Sequence, residues 1–80
     1  MANFSERVTA LRKEFRYKQR EMAEICSISL SAYQAYEYKR SLPDVPGLVR
    51  LADFFNVSLD YLMGRSDVRE VQRAAEKTEE

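Results

Sequence analysis

Few residues in this chain have the chemistry for catalysis. Its 80 residues include no histidine and one cysteine, Cys26. Without histidine, neither imidazole-ligated zinc nor imidazole acid–base chemistry is available. Cys26 has no partner Cys or His, so it reads as a core thiol rather than a redox switch. Asp44, Asp53 and Asp60 are better explained as helix caps and surface charges than as a paired-carboxylate site. Asn56-Val57-Ser58 matches a glycosylation sequon but falls in a helix-joining turn. Tyr33, Tyr36 and Tyr38 mimic a stacking platform, yet the first two sit at core spacing on a helix. No catalytic residue, metal ligand or cofactor is expected. The remaining chemistry is that of binding. It comprises amides (Gln19, Gln34), hydroxyls (Ser29, Ser31) and the bases Lys18, Arg20, Lys39 and Arg40.

Helices must position these groups. Phe4, Val8, Leu11 and Phe15 recur at i, i+4, i+7 and i+11, which predicts a first helix capped by Asn3 with Glu6. Gln19 to Cys26 predicts a second, with Met22, Ala23, Ile25 and Cys26 on one side. Ser27-Ile28-Ser29 breaks it. Ser29 then caps a third helix, Leu30 to Glu37, with Ala32, Tyr33 and Tyr36 facing inward. Leu42-Pro43-Asp44 is a loop, because the residue before proline disfavours helix. Asp44 caps a fourth helix with Pro46 in its first turn and Leu48, Leu51, Ala52 and Phe55 as its core stripe. Asn56-Val57 ends that helix. Ser58 caps a short fifth helix that Gly64 stops. Asp67 with Glu70 opens a last helix whose Val68, Val71 and Ala75 form a seam too weak to bury alone. No period-2 segment of useful length occurs. The expected fold is all-α: a bundle of five short helices over residues 1–64, then a charged helix or tail over 65–80 as a candidate dimerisation element.

Composition fits one globular domain, with 45% hydrophobic and 32% charged residues. No apolar run approaches the roughly 18 residues of a membrane span. MANFSERVTA has no apolar core of a signal peptide, so the expected compartment is the cytoplasm. Lys+Arg and Asp+Glu balance at 13 each. The balance is uneven along the chain: residues 1–41 carry +3, residues 42–64 carry −2 and residues 65–80 carry −1.

Two short helices separated by a three- to four-residue break meet the plan of a helix-turn-helix. Ala23 supplies the small side chain where the helices approach. Ile28 plugs the turn, and Tyr33 and Tyr36 anchor the second helix of the pair. From Phe4 to Gly64 the chain resembles the lambda-repressor/Cro-like, or Xre-type, helix-turn-helix regulators. The resemblance rests on Gln19 with Met22-Ala23-Glu24, Ser29, Tyr36-Glu37, Pro43, and the run from Leu51 to Gly64, LADFFNVSLDYLMG.

That resemblance implies a sequence-specific regulator of double-stranded DNA, a repressor of bacterial, phage or mobile-element origin. It places Gln19 at a phosphate, aided by the amides of a helix N-terminus. It assigns Leu30 to Tyr36 to the major groove, after the capping Ser29. There Gln34 suits adenine N6/N7, Ser31 is permissive, and Leu30 and Ala35 suit a thymine methyl. This helix carries no charge, so the common Arg- or Lys-to-guanine contact is missing from its centre and A·T pairs are favoured. Tyr38, Lys39 and Arg40 would follow the phosphate backbone, with Lys18 and Arg20 adding contacts. Arg12 and Glu37 match a structural pair. The family usually has Gly at positions 16, 27 and 39 and a capping Thr at 18. This chain has Arg16, Ser27, Lys39 and Lys18, which implies either strain or other turn geometry. A single domain buries little on DNA, so a homodimer on a palindromic operator is expected. The alternative reading is a protein-interaction module, such as an antitoxin, with a protein partner.

Overall fold

Helix starts in this chain follow from side chains able to accept a backbone N–H. Asn3 accepts from Glu6 N at 2.9 Å, while Glu6 Oε1 accepts from Asn3 N at 3.3 Å, a complete capping box. Ser29, Asp44 and Ser58 accept from Ala32, Gly47 and Tyr61 at 2.9–3.0 Å. The computed structural model describes residues 2–71 and shows the resulting helices. They are α1 (Phe4–Glu14), α2 (Gln19–Cys26), α3 (Leu30–Glu37), α4 (Val45–Phe55) and α5 (Leu59–Leu62). Only α2 starts without such an acceptor. Lys18 has none to offer, so only the reverse half of the box forms, with Glu21 Oε1 accepting from Lys18 N at 2.7 Å.

The helix ends share one device. Each is closed by a residue of left-handed backbone: Arg16, Ser27, Lys39, Asn56 and Gly64, with φ between 57° and 80°. The next amide reaches back to the last turn: Tyr17 N to Arg12 O, Ile28 N to Ala23 O, Arg40 N to Ala35 O, Val57 N to Ala52 O, and Arg65 N to Asp60 O. The three absent glycines therefore leave the turn geometry unchanged and leave strain in its place, about 1 kcal/mol or more per non-Gly residue. Asn56 tolerates the conformation better than most. At Gly64 only glycine fits, because a Cβ would lie 2.1 Å from the Ala2 carbonyl oxygen.

Phe4, Val8 and Leu11 of α1, Met22 and Ala23 of α2, Tyr33 of α3, Leu48, Leu51, Ala52 and Phe55 of α4, with Val57 and Leu62, make one core. Ser5 Oγ donates to Tyr36 O at 2.7 Å and ties α1 to the end of α3. Two expectations change. Phe15 is 41% exposed and only leans edge-on against Phe55, at 5.1 Å between centroids. Ile25 is 42% exposed, because the inward arc of α2 is centred on Met22, Ala23 and Cys26.

The helix expected to open at Asp67 does not form over residues 67–71, which run irregularly across α1 and α5. Ser58 N donates to Arg69 O at 2.7 Å and Ser58 Oγ to Val68 O at 3.0 Å. Arg7 donates to Ser66 O and pairs with Asp67 at 2.8 Å, with its guanidinium 3.9 Å above the Tyr61 ring. Arg69 holds Glu14 through two bonds of 2.7 and 2.9 Å. These contacts satisfy the backbone locally, whereas a helix here would first need a costly nucleus. Of the expected seam, Val68 and Val71 lie in this irregular segment, and Ala75 lies outside the described residues.

Candidate nucleic-acid interface

Helices α2 and α3 pack on one another, and Ala23 of α2, 3% exposed, is buried in the same core as Tyr33 of α3. Ile28, in the turn between them, packs partly buried on the core. Tyr33 is fully buried, and its ring meets Tyr36 edge-on at 6.0 Å. These contacts fix which face of α3 turns outward.

One polar network organises that face. The Glu37 side chain, 2% exposed, takes a fork from Arg12: Nε to Oε2 at 2.7 Å and Nη2 to Oε1 at 3.2 Å. The Tyr33 hydroxyl donates to Oε2, and Gln19 Nε2 donates to Oε1 at 2.8 Å. Gln19 Oε1 in turn accepts from Gln34 Nε2 at 3.1 Å. Arg12 Nη1 also donates to the Tyr17 carbonyl, which anchors the turn before α2. Burial pushes the Glu37 carboxyl up, but hydrogen bonds from Arg12, Tyr33 and Gln19 outweigh it and hold the carboxyl below its usual range. The Glu37 contact raises Arg12 in the same exchange. Burial, then the bond to Glu37, raises Tyr33 strongly, so its hydroxyl stays a donor.

The structure brings Gln19, Gln34 and Glu37 together in direct contact. Tyr38, 54% exposed, lies at the edge with its hydroxyl 3.5 Å from Gln19 Nε2. Ser31 is exposed, while Leu30 and Ala35 are half-buried. Ser29 is exposed, its hydroxyl engaged as the α3 cap. Lys18 and Arg20 at the start of α2, and Lys39 and Arg40 after α3, are all exposed. The Arg12–Glu37 pair forms as expected.

The sequence reading missed that Glu37 and Gln34 both bind Gln19, and that the Tyr33 hydroxyl belongs to the same network. The i, i+4 spacing of Tyr33 and Glu37 on one helix was a visible signal. Gln19 and Gln34 stand 15 positions apart and gave none. Cys26 is half-buried, and desolvation raises its thiol. Among the described residues no group of three or more His, Cys, Asp or Glu is arranged to hold a metal. None of the described helices is long and apolar enough to cross a membrane.

A helix-turn-helix family model matches residues 8–62. The chain belongs to this helix-turn-helix family. The lambda-repressor/Cro-like resemblance drawn from the residues is thereby met. The HTH-type transcriptional regulator YqaE of Bacillus subtilis is 37% identical over 75 residues, covering 92% of this chain and 65% of that protein. The cryptic phage CTXphi transcriptional repressor RstR of Vibrio cholerae is 40% identical over 60 residues, covering 75% and 54%. The chain thus spans about half to two thirds of these relatives' length. Among solved structures, a transcriptional regulator from Listeria innocua superposes with a TM-score of 0.74 at 31% identity, covering 92% of this chain and 67% of that one. The P22 c2 repressor, solved with a synthetic operator, shares the helix-turn-helix fold with a TM-score of 0.74 at 24% identity, covering 82% of this chain and all of that one.

Proposed function

We propose that this protein is a sequence-specific regulator of transcription, a repressor that reads double-stranded DNA in the major groove with α3. The observation that carries the proposal is the outward face of α3. It holds no charge from Leu30 to Tyr36, and its one long polar side chain, Gln34, is held in place by Gln19. An exposed solvent face has no need of such bracing, whereas a base-reading amide does, because pre-ordering it removes side-chain entropy cost on binding. The repressor RstR and the operator-bound P22 c2 repressor, both named for this activity, support the reading.

In this account Gln34 binds adenine, Leu30 and Ala35 lie against thymine methyls, and Ser31 accepts several bases. Lys18, Arg20, Tyr38, Lys39 and Arg40 lie along phosphates, and the α2 start with Gln19 does the same. Ser29 positions α3 by capping it. The protein works in the cytoplasm without catalysis or cofactor, as a homodimer on a palindromic operator whose half-sites lie about one helical turn apart. Selection of bound duplexes from a randomised library tests this. The expected result is a two-fold-symmetric, A·T-rich consensus, and recovery of no preferred sequence would overturn the proposal. Binding to a partner protein with no DNA affinity would favour an interaction module instead.

A further inference from the structure

The Glu37 side chain is buried, yet its charge determines what the half-buried Gln34 can offer. An ionised carboxylate only accepts hydrogen bonds and has about four acceptor positions. Here four donors fill them: Arg12 Nε, Arg12 Nη2, the Tyr33 hydroxyl and Gln19 Nε2. The Gln19 amide must therefore turn its NH2 toward Glu37. Its Oε1 is left facing Gln34, and there it accepts from Gln34 Nε2 at 3.1 Å. One of the two Gln34 N–H groups is thus occupied. The side chain retains one acceptor and one donor.

We propose that Glu37 is a positioning residue for base selection, which through Gln19 fixes the polarity of the Gln34 amide so that it suits adenine and refuses guanine. This rests on the reading of Gln34 as a base-facing residue. In the major groove adenine offers one acceptor, N7, and one donor, N6, which match the acceptor and donor that Gln34 retains. Guanine offers two acceptors, N7 and O6, and needs two donors. A tethered Gln34 has one donor free. A released Gln34 has two and can turn both toward guanine. The network therefore adds discrimination that a glutamine alone lacks.

The test uses the full chain. Duplexes are selected from a randomised library, Gln34→Ala identifies the base pair that residue faces, and binding is measured on four duplexes differing only there. The unaltered protein is expected to prefer A over G by about tenfold or more, within the range of a good bidentate contact. Glu37→Gln lets the Gln19 amide turn either way, and the preference should fall to about threefold or less. Gln19→Met cuts the tether while leaving Arg12, Glu37 and Tyr33 paired, and should give the same loss. If Gln19→Met binds all four duplexes more weakly but keeps the ratio, Glu37 and Gln19 are merely structural and the proposal is overturned. That result stands even if Glu37→Gln fails to fold. A library that yields no consensus with the unaltered chain would instead show, before any variant is made, that the DNA-reading itself is wrong.

Discussion

At the scale of single residues, Glu37 concentrates the most consequences. Removing one member of a buried ion pair leaves the other uncompensated, and here Glu37 is 2% and Arg12 13% exposed. Glu37→Ala should cost about 3–5 kcal/mol, measured by urea unfolding. The pH dependence has a defined sign. Because the folded protein holds this carboxyl below its ordinary value of 4.5, its contribution is present above that pH and is lost as pH falls through the folded value. Thermal unfolding of the parent should therefore drop more steeply below pH 4.5 than that of Glu37→Gln, and parallel curves would refute the assignment. A second residue-scale prediction concerns the left-handed closures. Ser27 is exposed with φ 61° at the turn between α2 and α3. Glycine there relieves the strain and gives part of the gain back through unfolded-state entropy, so Ser27→Gly should stabilise by about 0.5–1 kcal/mol in the same urea titration.

At the scale of elements, the segment from Ser66 to Val71 behaves as a strap rather than a helix. Its hold is ionic and aromatic: Arg7 and Arg69 both approach the Tyr61 ring, at 3.9 and 5.1 Å, while Asp67 and Glu14 pair with them. The Glu14–Arg69 pair is about half exposed on each side, so it gives direction more than stability. The bond from Arg69 lowers the Glu14 carboxyl. The strap should therefore hold above 4.5 and loosen as pH falls through the lowered folded value, where Glu14 takes up its proton. The Ser58 amide, which donates to Arg69 O, reports on it directly. In Arg69→Ala that amide should exchange with solvent faster while the α1 core amides do not change. Equal protection in both proteins would show that the strap holds without the pair.

At the scale of the whole molecule, 13 bases balance 13 acids, with the positive excess confined to residues 1–41. Long-range attraction to DNA should be weak for such a chain, so non-specific binding should vanish at modest salt. Within the proposed function, Lys39→Ala should reduce the slope of log affinity against log salt by about 1 and weaken all sequences alike. A change in sequence preference in that variant would move Lys39 from phosphate to base contact. Sedimentation of the DNA complex should give two chains per operator, as the symmetry of paired half-sites requires.

Much of the fold was written locally. Asn3, Ser29, Asp44 and Ser58 announce helix starts because a cap needs only a side chain and an amide three residues on. The apolar stripes of α1 and α4 announce their buried faces, because helical period is a property of neighbouring residues. The chain from Phe4 to Gly64 also carried the family resemblance, and with it the identity of α3 as the candidate reading helix. Three things were decided only in three dimensions. The strap replaced a helix because Ser58, Arg7 and Glu14, distant in sequence, bind residues 66–69 better than those residues bind one another. Phe15 and Ile25 stayed outside because other elements set the edge of the core. The amide of Gln34 acquired its orientation from Gln19 and Glu37, since hydrogen-bond polarity passes through space from donor to acceptor and leaves no trace in residue spacing.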